Sequence, residues 1–459
     1  MEQRTLDKDA LNGNFAGTIV SPGEERWDQA RAAWNLTADQ NPAAVAYAES
    51  ADDVVAVVNF ARANGLGVAA QGTGHGAGSR GPLDGSILLR TERMKGIEID
   101  ASRSVGRYDA GVLWMEANPA AGEHGLANLS GSAPDIGIVG YTTGGGFGWC
   151  ARRYGLACNS VRAIELVTAD GEQRRVDADN DPDLFWALRG GGGSFGLVTA
   201  IEFDLPELPE VFAGSAIYPA DERSGEIINR YFEWAEAVPA DVTSIVRFLR
   251  LPPLPMIPQP LQDRPLITVG ACYAGPESDG ADLIQPIREL GEPVMDTFQT
   301  MPPSGLPAVH MEPEEPVPGF VYTTSLREAP QAAIDAFIET AGPDSGSPLL
   351  SAELRQCGGA LRTPADGAGA LSHLDAEYVF CGIGLPMSPE MGVAINDRID
   401  AVCEALEPWS TGRCYFNFAD RPTDVESIFA PETLERLRDV KRRYDPDGLI
   451  SGNHNITPA

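Results

Sequence analysis

The chain has 459 residues, of which 43% are hydrophobic, and its 66 acidic and 34 basic side chains give a formal net charge of −32. This length exceeds one ordinary hydrophobic core, so we expect two domains or one domain interrupted by another. So negative a surface repels phosphate groups, which argues against nucleic acid and anionic membranes as partners. The charge also has a simple interpretation as a solvated surface that keeps the protein soluble.

The cysteines and the N-terminus indicate a cytoplasmic protein. The seven cysteines are odd in number and widely spaced, and no C-x-x-C motif occurs, so we expect reduced thiols. The opening MEQRTLDKDALNGNF lacks the apolar segment of a secretory signal, and no run of about 18 apolar residues follows. The histidines are scattered without H-E-x-x-H, so we expect no metal site.

The first 205 residues alternate between helices and short strands. DDVVAVVNFARAN predicts a helix that ends at Gly65, and GVAAQ, SILLRT, GIEIDA and SVGRYDAG predict strands. RAIELVTADGEQRRVD predicts a hairpin that turns at Asp170-Gly171. DPDLFWALR predicts a helix with Asp181 as its N-cap, and GLVTAIEFDL predicts a strand.

After PELPEVFAG the pattern changes to longer strands and amphipathic helices. The predicted strands include TSIVRFLRL, LITVGACYAG, EYVFCGIGL and RCYFNFAD, and the predicted helices include GEIINRYFEWAEAV, APQAAIDAFIETA and EMGVAINDRIDAVCEAL. PETLERLRDVKRRYDPDGL predicts a last helix. We therefore predict an α+β protein with three segments, residues 1–205, 206–419 and 420–459.

Three glycine clusters stand out: QGTGHGAGS (71–79), GYTTGGGFG (140–148) and RGGGGSFG (189–196). The first is a weak match to a dinucleotide fingerprint, because Gly81-Pro82 prevents the helix that the fingerprint requires. Together the clusters predict a groove lined by backbone, where amides approach a phosphate or a ring system. His75 in such a groove is either a hydrogen-bonding wall residue or a nucleophile.

Four segments carry a family resemblance: QGTGHGAGSRG, GYTTGGGFGWCARRYGL, DPDLFWALRGGGGSFGLVTAIEF and the terminal YFNFAD…RLRDVKRRYDPDGLISGNHNI. They resemble bacterial berberine bridge enzyme-like oxidases of the vanillyl-alcohol oxidase / p-cresol methylhydroxylase group of flavoproteins. The resemblance implies a two-part FAD-binding domain of the p-cresol methylhydroxylase type, residues 1–205 plus 420–459. It also implies a substrate domain, residues 206–419, with an antiparallel sheet covered by helices on one face.

The resemblance also implies the cofactor and its attachment. His75 corresponds to the histidine that the family bonds to the 8α-methyl carbon of FAD; the alternative is a non-covalent flavin packed against it. Many relatives add a cysteinyl link at the position of Ala133, so we expect a single bond here. The other residues implied to contact the cofactor are Gln71, Gly72, Thr73, Gly74, Gly76, Ala77, Ser132, Asp135, Gly137, Tyr141, Gly144, Gly145, Gly146, Gly148, Val198, Asn453 and Asn455.

The base that takes the substrate proton is harder to assign. The family pattern Tyr-x-Asn-Tyr-x-Asp appears here with Phe418 in place of the second tyrosine, and phenylalanine has no titratable group. On a strand, Tyr415 and Phe418 would face opposite ways, which favours a structural role for Tyr415. The catalytic candidates are nevertheless Tyr415, Tyr378 and Tyr141, the last as a hydrogen-bond donor to reduced flavin. Other candidates are Asp375, Glu377, Tyr322 and Glu353.

These inferences predict an FAD-dependent oxidoreductase. It would oxidise a C–OH bond, or an activated C–H or C–N bond, in a small molecule such as a sugar or secondary metabolite, by hydride transfer to flavin N5. We expect O2 as acceptor, although Ile136, at the family's oxygen-access position, is intermediate in size. A dehydrogenase with another acceptor and a non-catalytic flavin-binding protein are the alternatives.

Overall fold

The computed structural model describes residues 15–255, 257–262 and 264–458. The first 14 residues, in which we expect no signal sequence, lie outside this range. Within the described residues, every helix is too short or too polar to cross a bilayer.

The N-terminal part is built from short strands and helices that confirm the predicted alternation. Its strands are β1 (Thr18–Val20), β2 (Ala44–Tyr47), β3 (Gly67–Gln71), β4 (Ser86–Arg90), β5 (Ile97–Asp100), β6 (Val105–Asp109), β7 (Val161–Val167), β8 (Gln173–Asp177) and β9 (Leu197–Asp204). Its helices are α1 (Trp27–Arg31), α2 (Ala51–Asn64), α3 (Trp114–Gly122), α4 (Ile138–Thr143), α5 (Ala151–Tyr154) and α6 (Pro182–Leu188).

These strands form two sheets. β2, β4 and β3 are parallel neighbours with β1 antiparallel at the edge, while the second sheet has the antiparallel order β5-β6-β9-β7-β8. Helix α2 packs its valines on the first sheet. Its ends follow capping rules, since the Ser50 side chain accepts a hydrogen bond from the Asp53 amide and Gly65 takes a left-handed φ of 66°.

The substrate part consists of longer strands and amphipathic helices. The strands are β10 (Val211–Pro219), β11 (Val242–Arg250), β12 (Pro265–Tyr273), β13 (Met295–Asp296), β14 (Gln299–Met301), β15 (Phe320–Leu326), β16 (Ser351–Gln356) and β17 (Tyr378–Gly384). The helices are α7 (Ser224–Ala237), α8 (Glu277–Arg288), α9 (Pro307–His310), α10 (Gln331–Ala341) and α11 (Pro389–Leu406).

The strands of this part make one eight-stranded antiparallel sheet, with β14 paired to β10 beside the main order β13-β10-β12-β11-β16-β17-β15. One face packs on helices α7, α8, α10 and α11 through a cluster that includes Phe248, Phe337 and Phe380. The predicted sheet covered by helices on one face is therefore confirmed. The opposite face turns toward the N-terminal part.

The C-terminal residues return to the first sheet. Helix α12 (Pro431–Tyr444) leads to β18 (Ile450–Ser451), which pairs in parallel with β3. The buried Lys441 ammonium fixes this return by donating to Asp445 and to the carbonyls of Ser194 and Ile450. The division at 205/206 falls between β9 and β10, and the division at 419/420 falls before α12; both boundaries stay predictions.

One predicted strand is wrong. RCYFNFAD forms a single 3-10 turn over Phe416–Phe418, closed by the Phe418 amide on the Tyr415 carbonyl at 3.0 Å. The rings of Tyr415 and Phe418 meet edge to face with centroids 4.8 Å apart. The argument that these residues face opposite ways therefore does not hold, because a 3-10 turn brings positions three apart onto the same side.

Candidate active site

His75 lies in a loop between β3 and β4, and its ring is held from three sides. The Trp34 indole stacks on the imidazole with centroids 4.0 Å apart and planes 16° from parallel. Thr73 Oγ1 lies 2.7 Å from Nδ1, and Asp135 Oδ1 lies 3.4 Å from Nε2. Nε2 and both carboxylate oxygens of Asp135 are nevertheless buried without a hydrogen-bond partner, so this side of the ring has unused polar capacity.

The backbone around His75 leaves room for a bound group. We call residues 71–79 the histidine loop. Within the described chain, no acceptor lies opposite the amides of residues 73–76. A Cβ at Gly72 would meet a single atom at 3.9 Å and one at Gly137 a single atom at 4.0 Å, so both backbones are loosely packed on that side. Free amides beside glycine backbone are the features that bind phosphate groups.

The second glycine cluster is shaped by packing against the protein itself. A Cβ at Gly144 would lie 1.9 Å from Asn417 Oδ1, one at Gly146 2.6 Å from the Tyr141 ring, and one at Gly148 2.0 Å from the Ser130 carbonyl. Gly145 takes a φ of 110°. Glycine is required here because neighbouring segments meet this turn, whatever the turn binds.

The C-terminal asparagines reach the histidine loop and its neighbour. Asn453 accepts a hydrogen bond from Arg80 Nε at 2.5 Å, and its Nδ2 lies 2.5 Å from where a Cβ of Gly76 would be. Asn455 accepts from Ser194 Oγ at 3.1 Å, at the third glycine cluster. Of the remaining predicted contacts, Gln71 accepts a hydrogen bond from Gln40, Ala77 is buried at the start of a 3-10 turn, and Val198 packs in the core.

The three predicted catalytic tyrosines lie in three different places. The Tyr141 hydroxyl donates to the Leu129 carbonyl at 3.1 Å, and burial raises its pKa well above 10.0. Tyr378 packs its ring on Phe232 at 5.0 Å, on the helix-covered face of the large sheet. Tyr415 is buried against Phe147, and its hydroxyl lies 3.4 Å from Asn417 Nδ2. Burial raises the pKa of all three phenols, so they stay protonated at neutral pH.

A set of charged side chains from two strands of the large sheet, helix α9 and the loop after it meets at the uncovered face of the sheet. We call Arg247, His310, Glu312, Glu353 and Arg355 the charge cluster. His310 lies between two carboxylates, with Nδ1 3.0 Å from Glu312 and Nε2 3.1 Å from Glu353. Arg355 Nε donates to Glu353 at 2.6 Å, and Arg247 donates to the His310 carbonyl at 2.9 Å.

The two carboxylates of this cluster are ionised. Burial alone would raise the pKa of Glu312, but the hydrogen bond and charge of His310 lower it to about 2. Burial opposes ionisation of Glu353 too, and Arg355 and His310 hold its pKa far below its usual range. Ser132 Oγ donates to Glu312, which joins the cluster to the segment that carries Asp135.

A cavity lies between this cluster and the second glycine cluster. Its lining residues are Ser132, Phe147, Gly148, Trp149, Thr243, Ile245 and Arg355. The site thus has two walls: the glycine segments of the N-terminal part with the C-terminal return, and the uncovered face of the large sheet. The cavity between them is small, with a volume of about 10 Å³, which is room for about one water molecule.

Sequence reasoning missed most of the charge cluster. Glu353 was a candidate, but Arg247, His310, Glu312 and Arg355 were not. The available signal was the period of two in SAELRQ and TSIVRFLRL, where charged side chains at Glu353, Arg355 and Arg247 alternate with buried apolar ones. Of the other candidates, Glu377 pairs with exposed Arg362, and Tyr322 lies against Cys414 and Arg421.

The first wall fits an FAD. The histidine loop offers free amides for a pyrophosphate, and the space beside Gly72 and Gly137 allows close approach of a flat ring. The unpartnered Nε2 of His75 lies beside the Asp135 carboxylate, 3.4 Å from Oδ1. FAD could therefore be held by His75, the amides of residues 73–76, and the backbone around Gly137.

Two family models match the chain. The model for an FAD binding domain matches residues 42–177, and the model described as berberine and berberine like matches residues 414–457. The first covers the histidine loop and Asp135, and the second covers Asn417 and the C-terminal return. The two matched segments therefore build most of the first wall, while the third glycine cluster, residues 189–196, lies outside them.

The chain is similar to known proteins along its whole length. It is 28% identical to (R)-6-hydroxynicotine oxidase of Paenarthrobacter nicotinovorans, over 97% of both chains. It is 25% identical to glucooligosaccharide oxidase of Sarocladium strictum, over 98% of this chain and 95% of the relative. The solved structure of BBE-like 1 from Physcomitrella patens superposes with a TM-score of 0.85, at 19% identity, over 98% and 99% of the two chains. That last likeness shows a shared fold.

Proposed function

Because the chain belongs to the berberine bridge enzyme-like family of FAD-linked oxidoreductases, which oxidise small molecules, we propose that it binds FAD covalently through His75. The observation that carries the proposal is the setting of this imidazole. Its ring is fixed against Trp34, and its buried Nε2 has no hydrogen-bond partner. A fixed side chain with unused polar capacity, beside space for a ring, suits covalent attachment.

The neighbours of His75 suit a nucleophilic role. An imidazole attacks through an unprotonated nitrogen, so one nitrogen must keep its lone pair while the other carries the proton. The Thr73 hydroxyl beside Nδ1 and the Asp135 carboxylate beside Nε2 can divide these roles between the two nitrogens. Stacking on Trp34 fixes the plane of the imidazole, and therefore the directions in which its two nitrogens point.

A single attachment is expected. Ala133, at the position where many relatives have the second linking residue, carries no thiol. The nearby cysteines have other surroundings: Cys158 Sγ lies 3.3 Å from the Leu371 carbonyl, and Cys150 contacts Cys272. Burial raises the pKa of the Cys158 thiol to about 12, which disfavours the reactive thiolate.

The proposed reaction is oxidation of a C–OH bond, or of an activated C–H or C–N bond, in a small organic molecule. Bound FAD supplies a hydride acceptor at N5. The accompanying proton needs an acceptor, and the buried phenols of Tyr141, Tyr378 and Tyr415 do not titrate at neutral pH. The charge cluster places ionised carboxylates and His310 beside the cavity. The lowered pKa values of Glu312 and Glu353 make them weak bases, so we assign this cluster the role of stabilising positive charge that develops on the substrate.

We further propose O2 as the electron acceptor and the cytoplasm as the compartment. The oxidase names of two relatives support the first, and the seven free cysteines support the second. Reoxidation of the substrate-reduced enzyme by air should finish within seconds in a stopped-flow trace. Reoxidation over minutes would instead indicate a dehydrogenase with another acceptor.

Acid precipitation tests the covalent bond. The wild-type pellet should stay yellow, and the peptide of residues 71–79 should carry the mass of the flavin. H75A should give a colourless pellet and release any bound flavin to the supernatant. H124A, at an exposed position, is the matched control and should keep a yellow pellet. A colourless wild-type pellet would contradict the proposal.

A further inference from the structure

The small cavity between the two walls has polar side chains on both sides. Ser132 and Trp149 line it from the N-terminal part, and Thr243 and Arg355 line it from the large sheet. A buried space of this size stays dry where its lining is apolar, and it takes up water where about two to four polar groups meet. The hydrogen-bonding capacity of these four side chains therefore decides what the cavity holds.

Two of the four side chains have donors to spare. The indole Nε1 of Trp149 is buried and has no acceptor among the described residues. Arg355 uses Nε to donate to Glu353 at 2.6 Å, and within the described part of the chain neither of its Nη groups donates to the protein. A buried N–H group without an acceptor is costly, so this side of the cavity favours a ligand with oxygen lone pairs.

The other two side chains can accept. Ser132 Oγ donates its proton to Glu312, which leaves its lone pairs available. Thr243 Oγ1 accepts from the Arg152 amide at 3.3 Å and has a second lone pair. A water molecule both accepts and donates hydrogen bonds, so a cavity with donors on two side chains and acceptors on two others suits it.

The charge around the cavity favours a neutral ligand. The guanidinium of Arg355 is paired with the ionised Glu353, and Glu312 is a second ionised carboxylate of the same cluster. An anion in the cavity would therefore be repelled by two negative charges, and the low dielectric of a buried site strengthens this repulsion. Water has no net charge and avoids this cost.

We propose that the cavity binds one water molecule that bridges the two walls. The water accepts hydrogen bonds from Trp149 Nε1 and from an Nη group of Arg355. It donates hydrogen bonds to the hydroxyl oxygens of Ser132 and Thr243. Its ligands thus come from both parts of the chain, so the water holds the cofactor wall and the substrate wall in a fixed position relative to each other.

The same water completes a ring of polar contacts. A chain of side chains already links the two walls, and its members are, in order, Ser132, Glu312, His310, Glu353 and Arg355. Its two ends, Ser132 and Arg355, both line the cavity. A water that accepts from one end and donates to the other closes the chain, and hydrogen bonds in a closed network strengthen one another.

A high-resolution crystal structure of the holoenzyme tests the site directly. Density for a single oxygen is expected within about 3 Å of Trp149 Nε1 and of an Arg355 Nη group. Crystals grown in bromide should give no anomalous signal at this position. An empty cavity, a direct hydrogen bond from Trp149 Nε1 to a protein acceptor, or a bromide peak would overturn the proposal.

Solution NMR of the holoenzyme with isotope-labelled tryptophan gives a second measurement. The Trp149 indole proton should show a rotating-frame Overhauser cross-peak to water, with the sign of dipolar contact and not that of chemical exchange. W149F assigns the signal by removing it. Trp234, whose Nε1 donates to the Leu283 carbonyl at 2.7 Å, is the control and should show no such cross-peak. The absence of the cross-peak at Trp149 as well would contradict a bound water.

Discussion

The two walls of the active site are made in opposite ways. The histidine loop is local in sequence: nine consecutive residues hold His75, its Thr73 partner and the glycines that leave the amides free. The charge cluster is assembled from β11, α9, the following loop and β16, and Ser132 meets it from the other part of the chain. A cofactor wall made of backbone can be recognised in one stretch of sequence, but a substrate wall made of side chains exists only once the sheet is paired.

The walls also differ in what stabilises them. The histidine loop and the second glycine cluster depend on close backbone approach, so a larger side chain at one of their glycines should destabilise them most. The charge cluster depends on compensating buried charges, so an unbalanced charge should disturb it most.

Removal of one buried charge should have the largest effect. E353Q keeps the shape of the side chain but leaves Arg355 without its paired carboxylate and His310 with Glu312 alone. We expect a loss of roughly 3–5 kcal/mol in the free energy of unfolding, measured by urea denaturation of the whole protein. E377Q, which disrupts an exposed pair with Arg362, should cost less than about 1 kcal/mol. Equal losses in the two variants would show that the charge cluster is not stabilising.

The junction between the walls should respond to pH through Asp420. This carboxyl is buried beneath Gly78 and accepts a hydrogen bond from Asn35 at 2.5 Å; burial raises its pKa from 3.8 to about 7. The native carboxyl thus keeps its proton where the unfolded one loses it. Its contribution to the free energy of unfolding is complete below pH 4. This contribution is lost as the pH rises to about 7, at a rate of at most about 1.4 kcal/mol per pH unit.

D420N should therefore flatten the fall in thermal midpoint between pH 5 and pH 8, because an amide has no proton to lose in this range. D344N, at an exposed aspartate, should keep the wild-type slope. An unchanged slope in D420N would mean that Asp420 is ionised in the native protein at pH 5.

Added volume at the second glycine cluster should have a smaller effect. G144A would place a Cβ 1.9 Å from Asn417 Oδ1 and 2.6 Å from Phe416 Cδ1, so the turn and the C-terminal segment must separate. We expect a cost of roughly 1–3 kcal/mol by thermal unfolding. G225A in helix α7, where no atom lies within 4 Å, should be neutral or stabilise by up to about 1 kcal/mol. An unchanged stability in G144A would mean that Gly144 is only loosely packed against the C-terminal segment.

Much of the fold was predictable because its signals are local. The helix ending at Gly65, the hairpin at Asp170-Gly171 and the amphipathic helices of the substrate part all form where the sequence indicated. The segment RCYFNFAD misled because its aromatic residues suggest a strand, while packing against the glycine turn bends it into a 3-10 turn. Tertiary contacts outweighed local propensity at this point.

The sequence by itself determined the cofactor wall: which loop carries the histidine, where the glycines fall, and that Ala133 carries no thiol. Glycine contributes there by lacking a side chain and histidine by carrying an imidazole, and neither property depends on tertiary contacts. The positions of these residues along the chain are therefore enough to predict this wall. Only the tertiary structure decided the substrate wall, because its charged side chains pair between segments that are distant in sequence. These side chains are Arg247, His310, Glu312, Glu353 and Arg355. Strand register, which depends on the burial of whole faces, brings those partners together.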